Sequence, residues 1–273
     1  MALDSQSSMP ERPKTDRNLD ESIALAAVRE QLPALECKRA AYLGSGWAID
    51  AYALDDRLVA RFPRNADLAK WVDADQAILG VVTSSLATEF CVPTVVARGK
   101  AGIAFPYEFL VCELVPGVSA DRITPWSAEL AADLGRALTR IHSVSVEGAR
   151  KAGLRPEDEN ARPLCFLHGD FRADNIIVNP ASGRLVGVID WGNAAIGHPS
   201  TDFMTLVLWR GWTFTHAVLD AYGLPTSDGF IDDVRRHAQL EALQWLADAV
   251  KRGLDTAPHL TSLRNAFSLD LAS

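Results

Sequence analysis

The sequence predicts an α+β fold in two parts, a strand-rich N-terminal half with one principal helix and a helix-rich C-terminal half holding a small hairpin. Three observations predict it. Short apolar runs separated by glycine, acidic and proline turns fill residues 38–63 and return at 94–97 and 108–114. Pro116-Gly117 then closes this region with a turn signal. Beyond it apolar residues recur at helical spacing, interrupted by two short strand-like runs at 175–178 and 185–189. The implied organisation is a mobile lead-in over residues 1–19, one part over 20–115 and a second over 116–273.

The elements follow in order. A helix is expected from Asp20 or Glu21 to Leu32, ended by Pro33. Residues 38–43, the turn Gly44-Ser45-Gly46, residues 48–54, the turn Asp55-Asp56 and residues 57–62 read as an antiparallel meander. Residues 66–86 read as one helix, because Leu68, Val72, Asp75, Leu79 and Val82 fall on one face. An aspartate in that stripe requires a partner or an exit to solvent. Thr124 is placed as a helix cap with Pro125 at the first position, and Leu130, Leu134, Leu138 and Ile141 mark that helix's buried face. A polar connection over 146–162 includes Glu157-Asp158-Glu159. Helices are then expected near 201–209, 213–222, 230–251 and 258–269.

Composition narrows the function. The 273 residues are 48% apolar and 23% charged, values of a globular chain with a sizeable core. Lys plus Arg number 27 against 35 Asp plus Glu, a net charge of −8 that lends no support to broad nucleic-acid binding. No run nears the ~18 apolar residues of a membrane span. The polar first twenty residues, with Pro10 and Pro13, hold no apolar core of a secretory signal. Cys37, Cys91, Cys112 and Cys165 form no CxxC pair and read as buried free thiols of a cytoplasmic protein.

The chemistry concentrates in Leu167-His168-Gly169-Asp170-Phe171-Arg172-Ala173-Asp174-Asn175-Ile176-Ile177-Val178. An apolar lead-in enters a polar loop that carries Asp170 and Asn175 and passes into a strand. Asp190 follows at the end of the next apolar strand, in Val188-Ile189-Asp190-Trp191-Gly192. Taken singly, Asp170 is a turn former and Asn175 a loop cap. Together, the order suits phosphoryl transfer: a carboxylate, Asp170, orients an attacking hydroxyl, and hard oxygen donors, Asn175 and Asp190, hold Mg²⁺ against phosphates.

These motifs resemble the aminoglycoside and macrolide phosphotransferase family, relatives of protein kinases, whose pattern is HGDxxxxN followed by an aspartate between apolar residues. Gly197-His198-Pro199-Ser200-Thr201-Asp202-Phe203 is similar to a further family run, with His198 where an aspartate is usual. The resemblance implies a protein-kinase-like fold with a nucleotide-binding N-terminal lobe and a catalytic, substrate-binding C-terminal lobe. It makes Asp170 the catalytic aspartate, Asn175 and Asp190 the magnesium ligands, and His168 and Asp202 supports of the loop. Gly44, Ser45 and Gly46 would cover the phosphates of ATP or GTP, and main-chain groups of Glu113 and Val115 would bond the base. Arg61 and Asp75 stand where such folds carry a lysine and a glutamate; they are expected to pair, with Arg61 also touching phosphate.

The resemblance implies that the acceptor is a hydroxyl of a small molecule, with an aminoglycoside or macrolide antibiotic first and a metabolic alcohol or sugar next. No nucleic-acid or membrane partner is implied. Residues 143–164 are short for the family, which predicts a shallow acceptor pocket or one held by the C-terminal helices. There Val234, Ala238, Ala242, Trp245 and Ala249 form an apolar side, with Asp232, Asp233, Glu241 and Asp248 nearby. Trp209 and Trp212 are candidates to contact a sugar ring. Two alternatives stay open: a non-catalytic nucleotide-binding module, and a metal-dependent hydrolase using His168, Asp170, Asp190 and His198.

Overall fold

The computed structural model describes residues 12–156, 163–226 and 228–268. The chain divides into two compact units, Glu11–Pro116 and Gly117–Ser273.

In the first unit, Asp20 caps helix α1 (Glu21–Gln31) by accepting from Ile23 N at 2.8 Å. Five strands follow: β1 (Ala40–Ser45), β2 (Ile49–Leu54), β3 (Leu58–Pro63), β4 (Val95–Gly99) and β5 (Phe109–Glu113). They form one antiparallel sheet in the order β1-β2-β3-β5-β4. Alternation places Phe62 and Phe109 on its buried side, with ring centroids 4.6 Å apart, and Ala24, Ala27 and Val28 of α1 join the same core. The helix expected over 66–86 is two, α2 (Ala66–Ala69) and α3 (Val72–Leu86). Trp71 N closes the first on Leu68 O at 3.0 Å, and at this break the Trp71 ring stacks on Trp47, 6.2 Å between centroids.

Of the lead-in, residues 1–11 lie outside the described residues. The rest is tied to the sheet unit rather than free. Arg12 Nη2 donates to Gly46 O at 2.8 Å, Arg64 Nε to Pro13 O at 3.2 Å, Tyr107 Oη to Asp16 at 2.7 Å and Tyr52 Oη to Leu19 O at 2.8 Å. The physical reason is polar: the carbonyls of this apolar-poor segment meet donors at the sheet margin.

The second unit is mainly helical: α4 (Ala128–His142), α5 (Val146–Lys151), α6 (Ser200–Leu219), α7 (Phe230–Arg252) and α8 (Ala257–Phe267). Strand β6 (Val118–Ser119) pairs with β8 (Ile176–Val178), which pairs with β9 (Leu185–Val188), while β7 (Cys165–Leu167) pairs with β10 (Ala195–Gly197). The cap of α4 is Ser127, which accepts from Leu130 N at 3.1 Å, not Thr124. The helix so capped buries Leu130, Leu134, Leu138 and Ile141. The polar connection over 146–162 is partly helical, since Ser145 caps α5; Glu157-Asp158-Glu159 lie outside the described residues. The helices expected at 201–209 and 213–222 are one element, α6, broken at Gly211 where φ is 76°. Cys37, Cys112 and Cys165 are buried free thiols, but Cys91 is exposed just after the turn that ends α3. No helix of the described residues is long and apolar enough to cross a membrane.

Gly135 sets how closely α4 approaches the end of α6. A Cβ there would lie 2.3 Å from Val218 O. Gly135→Ala is expected to lose about 1–3 kcal/mol by overpacking, despite alanine's better helix propensity. The change in urea midpoint measures it.

Candidate active site

The Asp170 loop joins β7 to β8, and the β8–β9 hairpin carries Asn175 and Asp190 at one end. Ile189 N donates to Asn175 O at 2.9 Å, so Asp190 follows directly beside Asn175. The hairpin is anchored at its other end: Arg184 donates through Nε and Nη2 to the carboxylate of Asp133 on α4 at 2.6 and 2.7 Å. Asn175 is buried, and its Nδ2 donates to Asp170 O at 2.9 Å and to Asp170 Oδ2 at 3.0 Å. These bonds orient the amide and turn Oδ1 away from Asp170. Asp190 is exposed and held at φ 60°, ψ 67°, a left-handed conformation that is costly for a non-glycine residue. Arg172 Nε bridges Asp170 Oδ1 at 3.1 Å and Asp174 Oδ1 at 3.0 Å. Burial pushes the Asp170 pKa up, and it outweighs the opposing charge of Arg172.

A fully buried carboxylate supports this loop. Asp202, in the first turn of α6, accepts from His168 N at 2.9 Å and from Gly169 N at 2.8 Å. His142 Nε2 donates to the same carboxylate at 3.1 Å, while His142 Nδ1 accepts from Tyr222 Oη at 2.7 Å. Burial alone would raise the Asp202 pKa, but the His142 bond and the other donors hold it below the ordinary value. Gly169 is required here: φ is 77°, and a Cβ would lie 2.0 Å from Asn193 O. His168 is buried, accepts from Asp170 N at 3.2 Å through Nδ1 and donates to Ile189 O at 2.9 Å through Nε2. Both ring nitrogens are therefore committed, and His168 is no metal ligand. His198 bonds Ser200 Oγ at 2.7 Å, and that hydroxyl also meets His237 Nδ1 at 3.0 Å. Among the described residues no three His, Cys, Asp or Glu side chains form a metal-holding group.

In the sheet unit, Gly44 and Ser45 end β1, so the turn starts two residues later than expected, at Gly46, whose N donates to Ile49 O at 2.9 Å. The Ser45 hydroxyl is gripped by Arg12, Arg64 and Asp50, and Arg64 Nη1 pairs with Asp50 Oδ1 at 3.1 Å. A Cβ on Gly44 would touch nothing within 4 Å. Arg61 and Asp75 do form an ion pair, at 3.1 Å, with side chains 12% and 20% exposed. At the end of β5, Glu113 N donates to Thr94 O at 2.9 Å and Leu114 N to Arg57 O at 3.0 Å. The main-chain donor of Glu113 is thus occupied, whereas Val115 makes no main-chain hydrogen bond with the described residues.

The sequence pattern of a phosphotransferase enzyme family, APH, matches residues 39–161 and 152–240. The chain belongs to the APH phosphotransferase family. Its fold is similar to that of the GDP complex of wild-type aminoglycoside 2′-phosphotransferase-IIIa, with a TM-score of 0.73 and 19% identity over 91% of this chain and 97% of that one. It is also similar to the apoenzyme of a macrolide 2′-phosphotransferase from Brachybacterium faecium, with a TM-score of 0.65 and 18% identity over 92% and 99% of the two chains. Acyl-CoA dehydrogenase family member 11 from Rattus norvegicus is 28% identical over 99 residues, which is 36% of this chain and 12% of that protein. The Mus musculus protein of the same name is 43% identical over 51 residues, 19% of this chain and 6% of that one. The chain therefore matches only a small part of the length of these relatives.

In this member of the APH family three of the four acids of α7 are paired within the helix. Asp232 pairs with Arg235 at 2.7 Å, Asp233 with Arg236 at 2.5 Å and Asp248 with Arg252 at 3.0 Å. Burial pushes the Glu241 pKa up. Val234, Ala238, Ala242 and Ala249 are buried core and Trp245 is half-buried. Trp212 is 2% exposed, which removes it from the surface. The residues not foreseen are His142, Tyr222, Arg172 and Arg210. His142 reads locally as a cation at a helix C-terminus, and nothing in the sequence announces its partner sixty residues on.

His142→Ala strips a buried carboxylate of its side-chain donor. It is expected to cost roughly 1.5–3 kcal/mol, the range for a hydrogen bond to a charged group. Chemical denaturation of the variant against the parent checks this.

Proposed function

We propose that this phosphotransferase moves the γ-phosphate of ATP or GTP to a hydroxyl of a small molecule with Mg²⁺ as cofactor. One observation carries the reading: Asn175 and Asp190 sit at one end of a single hairpin, and the Asn175 amide bonds Asp170 in the preceding loop. Asp170 accepts a hydrogen bond from the acceptor hydroxyl and directs its oxygen toward the phosphorus. Its raised pKa makes it a better proton acceptor than an ordinary aspartate once the hydroxyl begins to ionise. The donor set fits magnesium: the amide oxygen of Asn175 and the exposed carboxylate of Asp190 are hard oxygens, and this ion is commonly held by one or two protein oxygens plus phosphates and water. When bound there, the ion neutralises phosphate charge as the bond to the leaving group breaks. His168 and Asp202 hold the loop in register.

The Glu11–Pro116 unit is the nucleotide-binding part in this reading. Gly44, Ser45 and Gly46 lie against phosphates. The open space where a Gly44 side chain would stand supports this, since the fold itself does not demand a glycine there. Arg61, fixed by Asp75, contacts phosphate, and the base bonds main-chain groups of Glu113 and Val115. Two acceptor classes are compatible with this reading: an aminoglycoside or macrolide antibiotic, as the names of the neighbours of similar fold suggest, and a metabolic alcohol. A cytoplasmic location is supported by the free thiols.

Nucleotide diphosphate release, measured with ATP and GTP over a panel of aminoglycosides, macrolides and simple alcohols, tests the reading. Asp170→Asn is expected to lower acceptor-dependent turnover by about 10²–10⁴-fold. Turnover equal to the parent would overturn it. Chelation by EDTA is expected to abolish turnover and excess Mg²⁺ to restore it.

The pH profile gives a separate check. Asp170 works ionised and its pKa is raised, so kcat/KM falls as pH drops through a value above that of an ordinary aspartate. Residual Asp170→Asn activity lacks that limb.

A further inference from the structure

Arg210 is a polar group that the reaction so far leaves unused. It lies on α6 directly before the break at Gly211 and is half-buried. Its Nη2 donates to Ile123 O at 2.6 Å, and its guanidinium carbon sits 4.7 Å from the centroid of the Trp209 ring. Its Nε–H is buried and meets no acceptor among the described residues. Nor does any carboxylate of the described residues lie against it; burial alone pulls its pKa below the arginine value. Arg61, Arg64 and Arg98 are half-buried as well, and each of them faces an acid. A guanidinium withdrawn from water without counter-charge is costly. Its planar fork of donors matches a carboxylate or phosphate edge to edge.

Its place relative to the reaction gives this meaning. Ile123 N closes a tight turn on Ala120 O at 3.2 Å, and Ala120 N donates to Ala173 O at 3.0 Å. Ala173 lies between Asp170 and Asn175. The carbonyl that holds Arg210 is therefore three residues of tight turn, roughly 6 Å, and one further hydrogen bond of 3.0 Å from Ala173 in the loop carrying the hydroxyl-orienting aspartate. This path of turn and hydrogen bond links Arg210 to the Asp170 loop, which is the ground for placing it toward an acceptor that presents its hydroxyl to Asp170. Of the four acids of α7, Asp232, Asp233 and Asp248 are paired with arginines of their own helix and Glu241 is half-buried, so the helix offers little to a polycation.

We propose that Arg210 binds an anionic group of the acceptor, a carboxylate or a phosphate, so that the substrate is a hydroxy acid or a phosphorylated alcohol. This rests on the proposed kinase reading. Trp209 holds the cation from one side, and the unpaired Nε–H completes the fork on arrival of the anion.

The test compares acceptors that share a skeleton and differ in charge, in the full-length protein with ATP and Mg²⁺. The pairs are 3-hydroxybutyrate with its methyl ester and glycerol 3-phosphate with glycerol, with kanamycin as the polycation. The anionic member is expected to have the lower KM. Arg210→Gln is expected to raise that KM about 10- to 100-fold, the equivalent of one lost charge-assisted hydrogen bond, while leaving kcat and the uncharged acceptors within about twofold. Arg210→Lys retains part of the preference. A purely structural arginine predicts equal effects on charged and uncharged acceptors, and that result overturns the proposal. So does a parent enzyme that prefers kanamycin or the uncharged members.

A second measurement does not depend on turnover. Indole fluorescence is titrated with inorganic phosphate and with 3-hydroxybutyrate. A saturable change is expected in the parent and in Asp170→Asn, and its loss in Arg210→Gln and in part in Arg210→Lys. No response at millimolar anion, or the same response in Arg210→Gln, sinks the proposal. Absence of turnover with every acceptor while the anion signal persists would instead count against the kinase reading alone.

Discussion

The carboxylate of Asp202 has no access to water, and everything near the candidate site is arranged around that fact. A buried charge requires hydrogen-bond donors on both oxygens. Here they come from the amides of His168 and Gly169 and from the His142 ring. Meeting this demand turns two successive N–H groups toward α6. The turn is reachable only with a left-handed residue at 169, and the close approach of Asn193 O excludes any side chain there. Asp170 is the next residue, so its direction follows from the needs of an aspartate thirty-two positions away.

The same economy of charge runs through the rest of the protein. Ser45, Asp50, Arg64 and Arg12 neutralise and satisfy one another around the first hairpin. Arg98 is shared between Asp73 and Glu108, and Asp133 receives both Arg136 and Arg184. Against this background the guanidinium of Arg210, half-buried with no carboxylate of the described residues against it, stands apart. Likewise, a left-handed Asp190 is a conformation the hairpin imposes at a place where a carboxylate is to be displayed to solvent.

Much of this was legible in the amino-acid order. Two-residue alternation in 57–62 and the 3.6-residue stripe through Leu130 and Ile141 are local signals, and both elements formed. The Arg61–Asp75 contact was also readable, because a lone acid on an apolar helix face next to a lone base on a strand face leaves few other solutions. Local signals failed where two residues competed for one role. Ser127, rather than Thr124, caps α4. The helix expected over 66–86 breaks at Trp71, whose ring stacks on Trp47. Cys91 reads as core beside Phe90 and Val92 yet is exposed just after the turn that ends α3.

The sequence by itself determined the alternation of strand and helix, the family, and the candidate residues Asp170, Asn175 and Asp190, because each depends on neighbours in the chain. Only the tertiary structure decided which side chains support them. His142 ends α4, Asp202 begins α6 and Tyr222 follows α6, while Ile123 follows a tight turn and Arg210 lies on α6, and no spacing rule links their positions. Their meeting depends on how closely α4 approaches α6, which packing sets through the missing side chain of Gly135. Burial then supplies the energy scale. Removed from water, each polar atom must be answered by another or by a ligand, and that account closes in three dimensions.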